Sequence, residues 1–251
     1  MTDSAFKHPN NLTDSPLKDK YILIFGGSSG IGLEAAIQAR DAGANVTIVG
    51  SDATKSQYLA ELHGLNWLAA DVTNEASIKQ ALKFVGHIDH LVLLAGTFGL
   101  NKVMDTDIAI LRRIVDERLF AAITIISTLG DRLAENGSIT LVSGVATHRP
   151  TPHGSAVIAA ACAAVETFGR HMALELAPRR VNTLSPGPID TPLLDKAFGH
   201  ERDHFVSGLK AQIPVGRIGS SAEAGAAVIF LINNAFMNGT VLHLDGGMSL
   251  T

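Results

Sequence analysis

The chain has 251 residues, 46% hydrophobic and only 18% charged, with twenty basic against twenty-four acidic side chains and a formal charge of −4. No basic run supplies an electrostatic footprint for nucleic acid, so nucleic acid is not an expected partner. The single cysteine, Cys162, excludes an internal disulfide framework and fits a reducing compartment.

Met1 to Lys20 is polar, holds two prolines and has no apolar core, so no secretory signal is expected there. The longest unbroken apolar stretch, Ala156 to Val165, falls far short of the roughly 20 residues that span a bilayer. A cytoplasmic protein without a membrane partner is the expectation. Residues 1–19 read as a flexible or loosely docked extension.

From residue 21 onward, short apolar runs alternate with longer helical patterns. Tyr21–Phe25, Asn45–Val49, His90–Leu94, Ser138–Val142, Val181–Leu184 and Val241–Leu244 are nearly continuous in apolar or β-prone residues. Such runs suit strands covered on both faces. Between them, Ile31–Ala42, Glu75–Val85, Asp107–Glu135, Ser155–Ala177 and Ser221–Asn233 carry helical patterns bounded by Gly, Asp or Asn. This alternation predicts an α/β fold: a single Rossmann-type, doubly wound parallel sheet of about seven strands, flanked by helices. Ala156–Val165 is apolar all round, which predicts a helix buried on every side.

The first strand runs into Gly26-Gly27-Ser28-Ser29-Gly30-Ile31-Gly32 and then into a helix. A turn of this kind brings backbone N–H groups against a pyrophosphate at the helix N-terminus, and its place between strand and helix supports that use. The spacing is Gly-x-x-x-Gly-x-Gly, and on it the chain resembles the short-chain dehydrogenase/reductase family. The resemblance extends from about Lys20 to Leu250, making residues 20–251 one dinucleotide-binding domain. Asp71-Val72 matches the family pair that reads adenine, and Ala95-Gly96 keeps the end of its Asn-Asn-Ala-Gly segment. Pro186-Gly187-Pro188-Ile189-Asp190-Thr191 matches the Pro-Gly segment, which uses backbone at Ile189 and the hydroxyl at Thr191 on the nicotinamide amide and diphosphate. Gly239-Thr240 and Asp245-Gly246-Gly247 match the closing strand.

The resemblance implies a nicotinamide dinucleotide as cofactor. The second strand ends Val49-Gly50-Ser51, which puts a small pair where NAD-preferring relatives hold an acid. Ser51 leaves a hydroxyl and room for a 2′-phosphate, favouring NADP(H) over NAD(H). Asp52 lies beyond the ribose-facing positions, and Lys55 is the nearest cation.

The family reduces carbonyls with a Tyr-x-x-x-Lys pair, a serine after the fifth strand and an asparagine on the fourth helix. In the register set by Ala163-Ala164-Val165-Glu166, the tyrosine position is Ile158 and the lysine position Cys162. The serine position is Gly144 and the asparagine position Arg118. An isoleucine has no proton to give, and loss of a positioned general acid costs about 10²–10⁴ in rate. His148, His153 and Ser155 are candidate substitutes or simply parts of a polar loop; Ser143 either faces the cofactor or points away. Arg118 either binds an anionic substrate or cofactor phosphate, or pairs with Asp116 or Glu117. No metal-ligand spacing is present, and no metal is expected.

Three readings follow. One is an oxidoreductase passing hydride to an acceptor that needs no protein phenol. The others are a dinucleotide-binding sensor or regulator, and a structural subunit. The apolar helix suggests a homodimer or homotetramer, and Leu193 to Pro214, with Phe198, His200, His204 and Phe205, is expected to close over the substrate.

Overall fold

Along the first strand, Ile22 and Ile24 pack into one core while Leu23 and Phe25 pack into another. All four are buried, which requires an apolar residue at every position. The computed structural model describes residues 15–251. Its elements are β1 (Tyr21–Phe25), α1 (Gly30–Asp41), β2 (Asn45–Gly50), α2 (Ala53–His63), β3 (Asn66–Ala69), α3 (Glu75–Leu82), β4 (Ile88–Leu93), α4 (Ile108–Val115) and α5 (Ala121–Leu129). There follow β5 (Leu133–Val142), α6 (Ala156–Glu175), β6 (Arg180–Pro186), β7 (Ile189–Asp190), α7 (Pro192–Phe198), α8 (Arg202–Lys210), β8 (Gly219–Ser220), α9 (Ser221–Asn233) and β9 (Val241–Leu244).

Seven parallel strands form the sheet, in the order β3-β2-β1-β4-β5-β6-β9; β7 and β8 make a separate parallel pair. The expected doubly wound α/β architecture is the one present. One core joins β1, β4 and β5 to Ile78 and Leu82 of α3, Ile125 and Leu129 of α5, and Val165 and Met172 of α6. The other joins β1 and β2 to Ala35, Ala36 and Ala39 of α1 and Val228, Leu231 and Ile232 of α9. Strand order reverses between β1 and β4, and in open α/β sheets the crevice at that switch point is where ligands bind.

Several boundaries differ from expectation. The helix expected over Asp107–Glu135 is α4, a widened π-type turn at Asp116–Phe120, and α5. It stops at Gly130 (φ +51°), and Leu133 to Glu135 already belong to β5. Arg132 closes this end by donating to the carbonyls of Leu82, Val85, Thr128 and Leu129. Helix α2 is polar, burying only Ser56 and Ala60, so the apolar period that marks its neighbours is missing.

Helix α6 buries one face, through Ile158, Ala161, Cys162, Val165, Glu166, Gly169, Met172 and Ala173, while Ala156 and Ala160 are exposed. The expectation of burial on every side is therefore corrected for the single chain. Alanine covers the outer face as well as the inner, so hydropathy alone hides the one-sided packing. By length and composition α6 is apolar enough to cross a membrane; here it lies on β5 and β6 and against α4.

Of the expected N-terminal extension, residues 1–14 lie outside the described residues. The part that is described is docked. Leu17 is buried in the α1/α9 core, and the Asp19 N–H donates to the Gly43 carbonyl. Lys20 Nζ reaches Asp89 at 2.9 Å.

Candidate cofactor and substrate site

The C-terminal strand ends form the floor of a cleft. Gly26 sits at φ +80°, and a Cβ there would fall 2.7 Å from the Ala95 N. A Cβ at Gly32 would strike the Gly26 carbonyl oxygen. Only glycine satisfies both positions, so the turn folds tightly across the end of β4. Helix α1 then starts with no acidic residue in its first turn and no side-chain cap from Ser29. The N–H groups of its first residues have no intrahelical acceptor, and together with the helix dipole they leave a positive end open to an anion.

The other sequence landmarks converge on this turn. Thr191 Cγ2 would lie 3.0 Å from a Cβ at Gly30, which puts the Pro-Gly segment beside the glycine turn. Gly187 packs on Asp245. Ser28, Ser29, Ile31, Asp71, Val72, Ala95, Gly96, Pro186 and Thr191 are all half-buried; Ile189 buries its side chain and Ser51 is exposed. At the end of β2, a Cβ at Gly50 would lie 2.5 Å from Ser56 Oγ and 2.6 Å from Ser28 Oγ. Ser56 Oγ is buried and has no hydrogen-bond partner among the described residues. Asp52 turns away from this point and caps its own helix, accepting from the Lys55 N–H at 3.0 Å.

Asp71 Oδ1 accepts from the Thr73 N–H (2.9 Å) and hydroxyl (2.8 Å). These bonds, the backbone one first, hold its carboxyl below the usual aspartate value. Arg113 stands 4.0 Å from Asp71 and 2.7 Å from Glu117 Oε1. Glu117 is buried, and its Oε2 accepts from the Thr97 N–H (2.7 Å) and hydroxyl (2.6 Å). Sequence reasoning missed this network, and the widened turn at Asp116–Phe120 is what presents Glu117 and Arg118. Turns of this kind recur at functional sites.

Arg118, Gly144, Ile158 and Cys162 come together at the same end of the sheet. Ile158 and Cys162 pack with Leu111, Ile114 and Ala161, flanked by Phe98. A Cβ at Gly144 would sit 3.9 Å from Cys162 Sγ and 3.8 Å from the Pro186 carbonyl oxygen, so there is room for one. Burial pushes the Cys162 thiol up, while the nearby Arg118 guanidinium works in the opposite direction. Arg118 Nη1 donates to the Ile114 carbonyl at 3.3 Å and Nη2 to the Thr97 carbonyl. The pairing with Glu117 offered by the sequence is not formed, because Arg113 and Thr97 hold that carboxylate.

Ser143, His148 and Ser155 are engaged elsewhere. Ser143 donates to buried Glu166 at 2.8 Å, and His148 Nε2 lies 3.4 Å from the same carboxylate. His148 also meets His243 edge-on at 4.7 Å. Ser155 Oγ bonds Thr151 Oγ1 at 3.3 Å, and His153 is exposed. In the expected lid, Phe198 stacks on Phe205 at 3.7 Å and meets Phe98 at 6.1 Å. Arg202 ties Asp190, Asp195 and Asp203 together.

A glycine turn, an open helix terminus and a strand-order switch at one point define a dinucleotide-binding α/β domain. A family model described as enoyl-(acyl carrier protein) reductase matches residues 26–249. A short-chain dehydrogenase/reductase, ATR9 of Stachybotrys chlorohalonatus, is 29% identical over 93% of this chain and 98% of its own. The MalC reductase/Diels-Alderase of Malbranchea aurantiaca superposes with a TM-score of 0.87 at 26% identity, covering 94% of this chain and 99% of that one. A small-chain dehydrogenase solved in complex with NADPH gives 0.79 at 28% identity, covering 93% and 100%. The chain belongs to the short-chain dehydrogenase/reductase family of oxidoreductases.

Proposed function

We propose that this protein binds NADP(H) and transfers hydride between it and an acceptor that draws no proton from a protein phenol. The observation that carries this reading is the contrast inside one cleft. The dinucleotide cradle is intact, while Ile158, Cys162, Gly144 and Arg118 stand where the resemblance places the family's reacting groups. The residues present fit the cofactor: the glycine turn admits a close backbone approach, and α1 is open at its positive end. When bound, a nicotinamide dinucleotide supplies the hydride chemistry. This chain's part is to hold the diphosphate at α1, present Asp71 at the adenine end, and keep water out with Ile158, Phe98 and the Phe198–Phe205 pair.

Preference for the 2′-phosphorylated cofactor is supported by Ser51, by the unpartnered Ser56 hydroxyl, and by Asp52 capping its own helix. Titration with NADPH and with NADH, following nicotinamide fluorescence, tests the reading. We expect tighter binding of NADPH with enhanced emission; no binding of either cofactor removes the oxidoreductase reading. A sensor without turnover is the second reading, favoured by the absence of a tyrosine or lysine at positions 158 and 162. Stopped-flow assay of the NADPH complex against iminium and quinone acceptors separates the two.

The exposed Ala156 and Ala160 of α6, and the exposed Ile108 and Ile110 of α4, would pack a second copy in a homodimer or homotetramer of the cytoplasm. A monomer by light scattering rejects that assembly.

A further inference from the structure

Among the described residues, Arg118 is a half-buried cation in the cleft that no carboxylate approaches within 4.0 Å. Among these residues the ion pairs are made by Lys20, Arg40, Lys79, Arg113, Arg202 and Arg217. Its sequence neighbour Glu117 is fully taken up by Arg113 and by both polar groups of Thr97. A guanidinium has five N–H donors in a rigid fork. Two of them anchor Arg118 to the Ile114 and Thr97 carbonyls, which fix its direction without neutralising its charge.

What surrounds the guanidinium defines what it can take. A Cβ at Gly96 would lie 3.3 Å from Arg118 Cζ, so the charge lies against the segment that follows β4. The Cys162 sulfur lies close enough for the guanidinium to act on it, and a Cβ at Gly144 would meet that sulfur only at 3.9 Å, so space is open there. Cys162 belongs to an apolar cluster with buried Leu111, Ile114 and Ile158, against which half-buried Phe98 packs. A charge held in partly dry surroundings without a counter-charge is unfavourable until an anion arrives, and a guanidinium fork matches a planar carboxylate.

We propose that Arg118 is the substrate-recognition residue of the cleft, binding the carboxylate of an acceptor whose apolar body lies against Ile158 and Phe98. This rests on the reading of the cleft as an NADP(H) site, and it narrows the acceptor to an anionic class.

The test uses the full chain saturated with NADPH, titrated with benzoate and with its neutral counterpart benzamide, following nicotinamide fluorescence and melting temperature. Benzoate is expected to shift both signals in the wild type, and benzamide neither. Arg118→Met is expected to weaken the benzoate response roughly tenfold or more, the scale of a lost charge-assisted contact. Arg118→Gln, which keeps a polar side chain without the charge, should lose it equally, and Arg118→Lys should retain part of it. NADPH affinity, read in the same titrations, should change far less than the benzoate response in all three.

Equal benzoate binding by Arg118→Gln and the wild type overturns the proposal, as does NADPH binding with no benzoate response. A parallel loss of NADPH affinity in the variants overturns it too, by making Arg118 a cofactor ligand. If the wild type binds no NADPH, the reading of the cleft falls first and takes this proposal with it.

Discussion

The two halves of the cleft are built by different means. On the side proposed to hold adenosine and diphosphate, the cleft offers mainly backbone, in the Gly26 and Gly32 approach and the open end of α1, with Asp71 held by Thr73 and the Ser51, Ser56 and Thr191 hydroxyls beside it. On the side proposed for the nicotinamide, the character of the cleft rests on which residues stand at four positions: the side chains of Arg118, Ile158 and Cys162, and the bare Cα of Gly144. Backbone recognition tolerates almost any change that spares the glycines, whereas side-chain chemistry is rewritten by single substitutions. A fold can thus keep its ligand while its reaction drifts.

Gly32→Val tests the first half most severely. Its Cβ runs into the Gly26 carbonyl, and overpacking of this kind costs about 1–3 kcal/mol. We expect NADPH binding to weaken by up to about 100-fold, read by fluorescence titration.

His90 offers a control far from the cleft. It is buried between β4 and β5, bonded to Ser138 Oγ at 2.8 Å, and burial lowers its pKa to about 4. With the folded value below the unfolded 6.5, the native state binds fewer protons, so this stability is complete above pH 6.5 and is lost as pH falls towards 4. The loss should reach about 3 kcal/mol in urea unfolding at pH 4 against pH 7, and His90→Gln should flatten that part of the curve. If bound NADPH alters the slope, His90 and the cleft are coupled.

Gly144→Ser sharpens the second half. The residue is extended (φ 178°) and a Cβ meets nothing closer than 3.8 Å, so the change should move stability by less than about 0.5 kcal/mol. A larger loss by thermal melting would mean that the space at Gly144 is smaller than the geometry indicates.

Much of the fold was legible because buried parallel strands must be apolar throughout: Tyr21–Phe25 and Val241–Leu244 have the bounds their patterns suggest. What escaped did so for physical reasons. Helix α2 makes few apolar contacts, and its signals are only the Asp52 cap and Gly64 in the left-handed region. Ile125, Leu129 and Leu133 keep a four-residue spacing across Gly130-Asp131-Arg132, masking the stop at Gly130. In the site, register alone located positions 118, 144, 158 and 162. That Glu117 is claimed by Thr97 and Arg113, leaving Arg118 without a counter-charge, depends on contacts across the chain that no local pattern encodes.

The widened turn at Asp116–Phe120 also works as a phase shifter. Ahead of it, Leu111 and Ile114 of α4 face Ile158 and Cys162 of α6; behind it, Ala122, Ile125 and Leu129 of α5 face the sheet. A continuous α-helix advances 100° per residue, so removing one residue there would swing one of these stripes about 100° off its partner. The turn therefore lets the two helices answer to separate packing partners, and substitutions that retune α4 against α6 need not disturb the core beneath α5.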